Sequence, residues 1–417
     1  MQNWLELLHT QYLERKGGII MLQEAYPYLI LLFIGYLVYT LDKKKETFPA
    51  PPMLVLIGLA LSVIPIFSQL TISEEFIYHV MLPALLFVSA YQFPVSMLNR
   101  YKSMIISLST IGIIVAILLT GLTIYAAAGF FVSLSFAAAL LIAVILTPTD
   151  PVSVVNILSA DLNDELVTSV VEGESMINDG TSIVAFTLIL SWYTHQQPPG
   201  FVEAGTELLY VSLGGIAIGL AGGWLFSQAV HFTHEQSYQI MLSIILAYAV
   251  FFLAEAVHVS GVLAVVTAGL VLSRTFYQSK KETHFREALD DFWEILELSI
   301  LSLLFLMIGI LAAPTLLHSY WLLVVILFLF MLLFRWITVE GVLLLTPSRH
   351  PSSRKERFLI SISGVKGAIS VYLILKVQET GGSGSEIITA ISFSIIILSL
   401  LLQSFAIHPL AKYIVKK

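Results

Sequence analysis

The chain has 417 residues, of which 57% are apolar and only 12% charged, a balance that excludes an ordinary soluble domain and places most of the chain in lipid. The net charge of −7 is spread over many loops with no basic or acidic tail, so no nucleic-acid partner is implied. Cysteine is absent, which removes disulfides, thiolate metal sites and thiol redox chemistry.

Residues 1–18, with Glu6, Glu14, Arg15 and Lys16, lack the basic start and cleavage site of a secretory signal and read as an amphipathic lead-in. Apolar runs between polar breaks then give about thirteen spans. They fall near 19–41, 53–70, 77–92, 103–128, 135–158, 166–193, 205–230, 238–257, 260–273, 293–313, 319–345, 357–377 and 386–410. The stretch Tyr277 to Asp291, carrying Lys280, Lys281, Phe285 and Arg286, reads as a separate interfacial amphipathic helix. Glycines 214, 215, 219, 222 and 223 in the seventh span predict close helix packing. His231 and His234 fall in a loop and read as solvated, as does Glu172 near a span end; Glu255 and Glu340 read as interfacial. The chain ends a few residues after the last span, so no soluble regulatory domain is expected.

Charge asymmetry fixes the expected orientation. With the N-terminus outside, Lys43, Lys44, Lys45, Arg100, Lys102, Arg274, Lys280, Lys281, Arg286, Arg349, Arg354, Lys355, Arg357, Lys412, Lys416 and Lys417 all face inward, against Arg15, Lys16 and Lys376 outside. This follows the positive-inside rule and puts the C-terminus in the cytoplasm.

Two spans cannot be continuous helices. Thr147-Pro148-Thr149-Asp150-Pro151 interrupts the fifth, because each proline removes a backbone donor and pushes its predecessor toward extended geometry. Ser363-Gly364-Val365-Lys366-Gly367 interrupts the twelfth. These are corresponding positions of two six-span sets, 19–193 and 238–410, joined by the linking span 205–230. Broken helices in matching places of two halves point to an inverted-repeat transporter with its site at the breaks. If the breaks cross, Asp150 and Lys366 compensate half-helix ends of opposite sign.

The sixth span carries Glu172-Gly173-Glu174-Ser175-Met176-Ile177-Asn178-Asp179-Gly180. A charge at the bilayer centre costs about 3 kcal/mol on insertion scales, so these carboxylates need a cation, a proton or a basic partner. Burial favours the neutral acid of Asp179, so a proton and a small hard cation compete for it. Asp150, Ser175 and the backbone at Thr149 supply further oxygen ligands. Ser175 shares the helical face of Asp179. Glu174 and Arg335 lie at equal depth and are expected to pair; Asn178 is expected to hydrogen-bond the interrupted backbone.

These motifs, together with Ser260-Gly261-Val262-Leu263-Ala264-Val265-Val266 and Gly364-Val365-Lys366-Gly367-Ala368, resemble the monovalent cation/proton antiporters. The resemblance is to the branch of the NhaP-type sodium/proton antiporters and animal sodium/proton exchangers. It implies an all-α polytopic membrane protein of thirteen helices, in two inverted six-helix repeats with unwound crossing helices 5 and 12. It further implies a homodimer in the cell membrane, elevator-like alternating access, and no cofactor beyond the transported Na+ and H+. The resemblance makes Asp179 the carrier of cation or proton, with Asp150, the Thr149 backbone, Ser175 and, through water, Glu174 as the remaining ligands. Arg335 partners Glu174, and Asn178 marks electroneutral one-for-one exchange. Lys366 stands where the family usually has Arg, and Leu301 or Ser302 and Val88 replace a common Asn and a common acid. Ligand types separate sodium from potassium poorly, so potassium/proton exchange is the alternative. A cation channel needs no proton-exchanging carboxylate, and an intramembrane aspartyl protease lacks its Gly-x-Gly-Asp signature here.

Overall fold

In hydrocarbon every backbone polar group must find its partner inside the protein, which leaves helices and closed barrels as the spanning structures. The computed structural model describes residues 26–43, 49–151, 164–229, 235–278, 283–317, 320–382 and 384–415, and among these residues every regular element is helical. The 1–18 lead-in, His231 and His234 lie outside the described residues.

The helices, in chain order, begin with α1 over residues 26–43 and α2, Ala50–Leu61. Helix α3 starts as Glu74–Phe76, capped by Ser73, passes through a π turn at Ile77–Met81 and continues as Leu82–Gln92. Helix α4 runs Val95–Ala128 with a π turn at Leu108–Gly112, and α5 is Phe136–Ile145, capped by Ser135. Helix α6 is Glu165–His195, capped by Asp164. There follow α7 (Phe201–Ala229), α8 (Gln236–Ala256), α9 (Gly261–Gln278), α10 (Thr283–Ala312) and α11 (Trp321–Leu345). Helix α12 is Arg354–Ile362, opened by a capping box of Ser353 and Glu356, and α13 is Ala368–Thr380. Helix α14 is Ser385–Leu398, continued through a π turn at Ser399–Gln403 into Ser404–Val415.

Among the described residues six helical segments are long and apolar enough to cross a membrane, in α4, α7, α8, α10, α11 and α14. Helix α6 has 31 residues, ample length for a bilayer, but carries Glu172, Glu174 and Asp179 through its middle. Helices α5, α12 and α13 are short because the chain leaves helical geometry at residues 146–151 and 363–367.

The helices pack as two groups. Helices α2, α3, α7, α8, α9 and α10 pack mainly on one another, and so do α4, α5, α6, α11, α12, α13 and α14. Glycines set the closest approaches within the first group. A Cβ on Gly215 would come 2.4 Å from the Ser260 carbonyl and one on Gly219 2.3 Å from that of Ala264, so α7 lies backbone to backbone on α9 as its glycines predict. The same holds between α2 and α10, where a Cβ on Gly58 would meet the Leu306 carbonyl at 2.1 Å and one on Gly309 that of Val55 at 2.3 Å.

Two boundaries differ from the sequence expectation. The second span ends as helix at Leu61 and turns before Pro65–Ser68, because Pro65 denies the helix its next donor. The segment from Thr283 to Asp291 is not a separate interfacial helix but the first turns of α10. Its register is continuous with the core, since Leu289 and Trp293 are buried on one face and the Trp293 indole donates to Ser243 Oγ at 3.0 Å; Tyr277 and Gln278 end α9, and residues 279–282 lie outside the described residues.

Replacing Gly309 by Val should force α2 and α10 apart at a cost of about 1–3 kcal/mol. A thermal melt of the detergent-solubilised protein checks this: a lower midpoint is expected, and an unchanged one contradicts the close packing.

Candidate ion-binding site

The two chain breaks cross. After the last helical turn of α5, which the Thr147 amide closes on the Val144 carbonyl, the segment Pro148 to Pro151 leaves helical geometry, and the Asp150 amide donates to the Val365 carbonyl at 2.7 Å, tying one break to the other. The crossing needs bare backbone. A Cβ on Gly367 would stand 2.4 Å from that of Asp150, and one on Gly364 would press Arg335 Nε at 3.1 Å. Asp150 therefore sits against the N-terminal end of α13, where a helix carries partial positive charge. Lys366 is only 4% exposed and its Nζ lies 3.5 Å from the Thr147 carbonyl, just past the C-terminal end of α5, where the sign is reversed. Its burial rules out snorkelling to the surface.

The groups freed at the second break are taken up by α14. The Lys366 amide donates to Ser399 Oγ at 3.1 Å, the Ser399 hydroxyl donates to Gln403 Oε1, and Gln403 Nε2 donates to the Ile362 carbonyl at 3.3 Å. Ser399 and Gln403 bound the π turn of α14, and such turns gather at functional places in helices. The sequence reading omits both residues, and the available signal was weak: one Ser and one Gln four apart in an apolar span.

Helix α6 reads the first break. The Ser175 hydroxyl donates to the Thr149 carbonyl, and Asn178 Nδ2 donates to Thr149 Oγ1 at 2.8 Å. The expected backbone bond of Asn178 is thus made instead to the threonine hydroxyl. One turn on, Thr181 Oγ1 donates to the Ser109 carbonyl at 2.9 Å, in the π turn of α4. Gly180 lets α9 approach, since a Cβ there would meet Leu263 Cδ2 at 2.5 Å.

Asp150, Thr149, Ser175 and Asp179 line one cavity of about 350 Å³ between the two helix groups. Glu172 faces the same cavity rather than bulk solvent, as do Glu294 and Glu297 of α10, which the sequence reading also omits. Their signal was a pair of carboxylates three residues apart in an otherwise apolar span. Among the described residues Lys and Arg are absent from the lining, so the carboxylates call for protons or a cation to neutralise them. The donors suit a small hard cation. A serine hydroxyl that donates to a carbonyl keeps its own lone pairs for a ligand, so Ser175 can serve both the break and an ion.

Glu174 is set apart from these four. It is 1% exposed and takes a two-pronged bond from Arg335, Nη1 to Oε1 at 2.6 Å and Nη2 to Oε2 at 2.5 Å. It lines a second, much smaller cavity of about 30 Å³ with Arg335, Lys366 and Thr147, room for about one water. Near one end of the same helix group, Arg357 makes a similar fork to Glu340, Nε to Oε2 at 2.7 Å and Nη2 to Oε1 at 3.0 Å, so Glu340 is paired rather than simply interfacial.

A helix bundle with two broken, crossing helices and a carboxylate-lined cavity at the crossing is the architecture of a secondary transporter. Residues 29–413 match the sodium/hydrogen exchanger transmembrane family, and the chain belongs to that family. It is 30% identical over 396 residues to the Na+/H+ antiporter NhaH of Halobacillus dabanensis, covering 92% of this chain and 96% of the relative. It is 32% identical over 346 residues to the Na+/H+ antiporter NhaP of Pseudomonas aeruginosa, covering 80% of each. Its fold is that of the sodium proton antiporter MjNhaP1 from Methanocaldococcus jannaschii, with a TM-score of 0.77 at 21% identity over 95% of this chain and all of that one.

Arg335→Ala should destabilise the protein by about 3–5 kcal/mol, because it leaves Glu174 buried and unpaired. Adding Glu174→Gln should recover part of the loss. Thermal melts of the single and double variants check this, and an unchanged midpoint for Arg335→Ala contradicts the pairing.

Proposed function

We propose that the protein is a secondary antiporter that exchanges Na+, and also Li+, for H+ across a cell membrane, with Asp179 as the shared carrier. The observation that carries this reading is the one cavity in which Asp179 and Asp150 meet the Ser175 hydroxyl and the Thr149 segment, with no basic residue among the described residues of the lining. In that setting the carboxyl of Asp179 holds either a proton or the cation, with Asp150, Ser175 and the Thr149 carbonyl completing the oxygen shell and Glu174 acting from behind Ser175. The empty, doubly charged site is the costly state to carry through a low-dielectric interior. Only loaded forms then move, and that restriction makes the process exchange rather than leak. Asn178 holds Thr149 and adds no second titrating acid, which supports a one-for-one, electroneutral cycle.

The proposal extends to the architecture and its place in the membrane, which the crossing breaks support. Thirteen spans in two inverted repeats, 19–193 and 238–410 about the linking helix 205–230, bring the two breaks together at mid-membrane. The group containing α5, α6, α12 and α13 carries the site past the group containing α3 and α10. The N-terminus lies outside, the C-terminus in the cytoplasm, and the cavity opens toward the cytoplasm, where α6 begins. Tyr210, Leu213 and Trp224 on α7 present an exposed apolar face, which supports a homodimer embedded in lipid. The protein is a transporter, not an enzyme.

In proteoliposomes, adding sodium should evoke a proton flux that a voltage clamp does not accelerate and that Asp179→Asn loses while still purifying as a folded protein. Flux with potassium alone would change the substrate and keep the mechanism. Full transport by Asp179→Asn would remove the carrier assignment.

A further inference from the structure

The lining of the cavity extends along α13 as far as Ile369, and beyond it side chains of α13 meet side chains of α3, Tyr372 on Tyr78 and Lys376 on Glu74. We propose that Glu74, Tyr78, Tyr372 and Lys376 form a gate that seals the site on the side away from the cavity and must part in every transport cycle. The proposal rests on the exchange reading above and adds to it the contact that keeps one face shut.

Four observations carry it. Helix α13 begins at the crossing, where Ala368 and Ile369 line the cavity, and Tyr372 and Lys376 follow one and two turns further along. Tyr372 is buried and its ring stacks on that of Tyr78, with centroids 4.7 Å apart and planes 15° from parallel. Lys376 Nζ donates to Glu74 Oε1 at 2.5 Å and to Glu379 Oε2 at 3.0 Å. Each of the contacts from α13 to Glu74 and Tyr78 passes from one helix group to the other, since α3 packs within the group of α8 and α9.

The α3 side of the gate is braced. Tyr78 donates its hydroxyl to Glu255 Oε1 at 2.9 Å, and the same oxygen accepts the Gly261 amide at 2.9 Å at the start of α9. Tyr78 lies in the π turn Ile77–Met81, and within that turn the Val80 carbonyl accepts the Tyr248 hydroxyl from α8 at 2.7 Å. Glu74 is held by the Ser73-capped first turn. The α13 side is continuous with the site, since Gly367, Ala368 and Ile369 at its start line the cavity. A rigid jaw on one group and a partner jaw built on the moving half-helix is the arrangement a gate needs. Stacked rings and one partly exposed ion pair are also contacts of modest strength, suited to opening on the timescale of a cycle.

The chain has no cysteine, so the gate can be tied shut cleanly. Glu74→Cys with Lys376→Cys, reconstituted and treated with a bis-methanethiosulfonate linker, should lose more than tenfold of its sodium-driven proton flux and regain it when the linker is cleaved by reductant. The linked protein should still be stabilised against heat by sodium, which separates a locked gate from a protein that never bound the ion. Undiminished flux through the fully linked protein would overturn the proposal.

A second measurement does not need transport. With Ile369→Cys as a reporter, a membrane-impermeant maleimide applied on the side of Lys376 should label at least severalfold faster when Tyr78→Ala and Lys376→Met are added. Equal labelling with and without those changes would overturn the gate, and absence of any sodium-driven flux in the unsubstituted protein alongside faster labelling in the variant would count against the exchange reading and leave the gate standing.

Discussion

The structure depends on one constraint: backbone that leaves helical geometry inside a membrane must find other partners for its amides and carbonyls. At the first break the Ser175 hydroxyl donates to the Thr149 carbonyl and the Val365 carbonyl takes the Asp150 amide, while Asn178 holds the Thr149 side chain. At the second, Ser399 and Gln403 take the Lys366 amide and the Ile362 carbonyl. The same bonds that make the breaks tolerable also place Asp150, Thr149 and Ser175 around one point. Satisfying the backbone and building the site are a single operation in this fold.

Charge is sorted by the same logic. Glu174 is held in a closed fork with Arg335, and Lys366 is spent on the carbonyl end of α5. Neither base reaches the cavity lining, where Asp150, Asp179, Glu172, Glu294 and Glu297 gather. An ion pair and a helix end thus use up these two cations and leave the cavity carboxylates to be matched by what passes through. A buried pair of this kind adds little net stability, but it fixes α6 against α11 so that Asp179 has a fixed position.

Much of this was legible in the sequence because the residues responsible are rare in lipid. Two prolines around Asp150, two glycines around Lys366 and a run of acids in α6 have few uses in an apolar span, and the family they mark is the one to which the chain belongs. The Arg335 and Glu174 pair follows from depth alone. What the sequence hid is tertiary. Ser399 and Gln403 look like ordinary polar residues of an apolar helix until the π turn aims them at the break. Glu297 belongs to a helix far along the chain, and only packing shows that it shares a cavity with Asp179. Glu74, Tyr78, Tyr372 and Lys376 carry no motif and meet only because α13 crosses to α3.

The central claim is that one carboxylate-centred site is held either by a cation or by a proton. The most direct test is to titrate sodium into the purified protein in weak buffer while recording both binding and pH. Binding should release up to about one proton per chain, and the apparent Kd should rise about tenfold for each unit that pH falls below the site's own titration point. Sodium binding with an affinity independent of pH and no proton release would contradict the account.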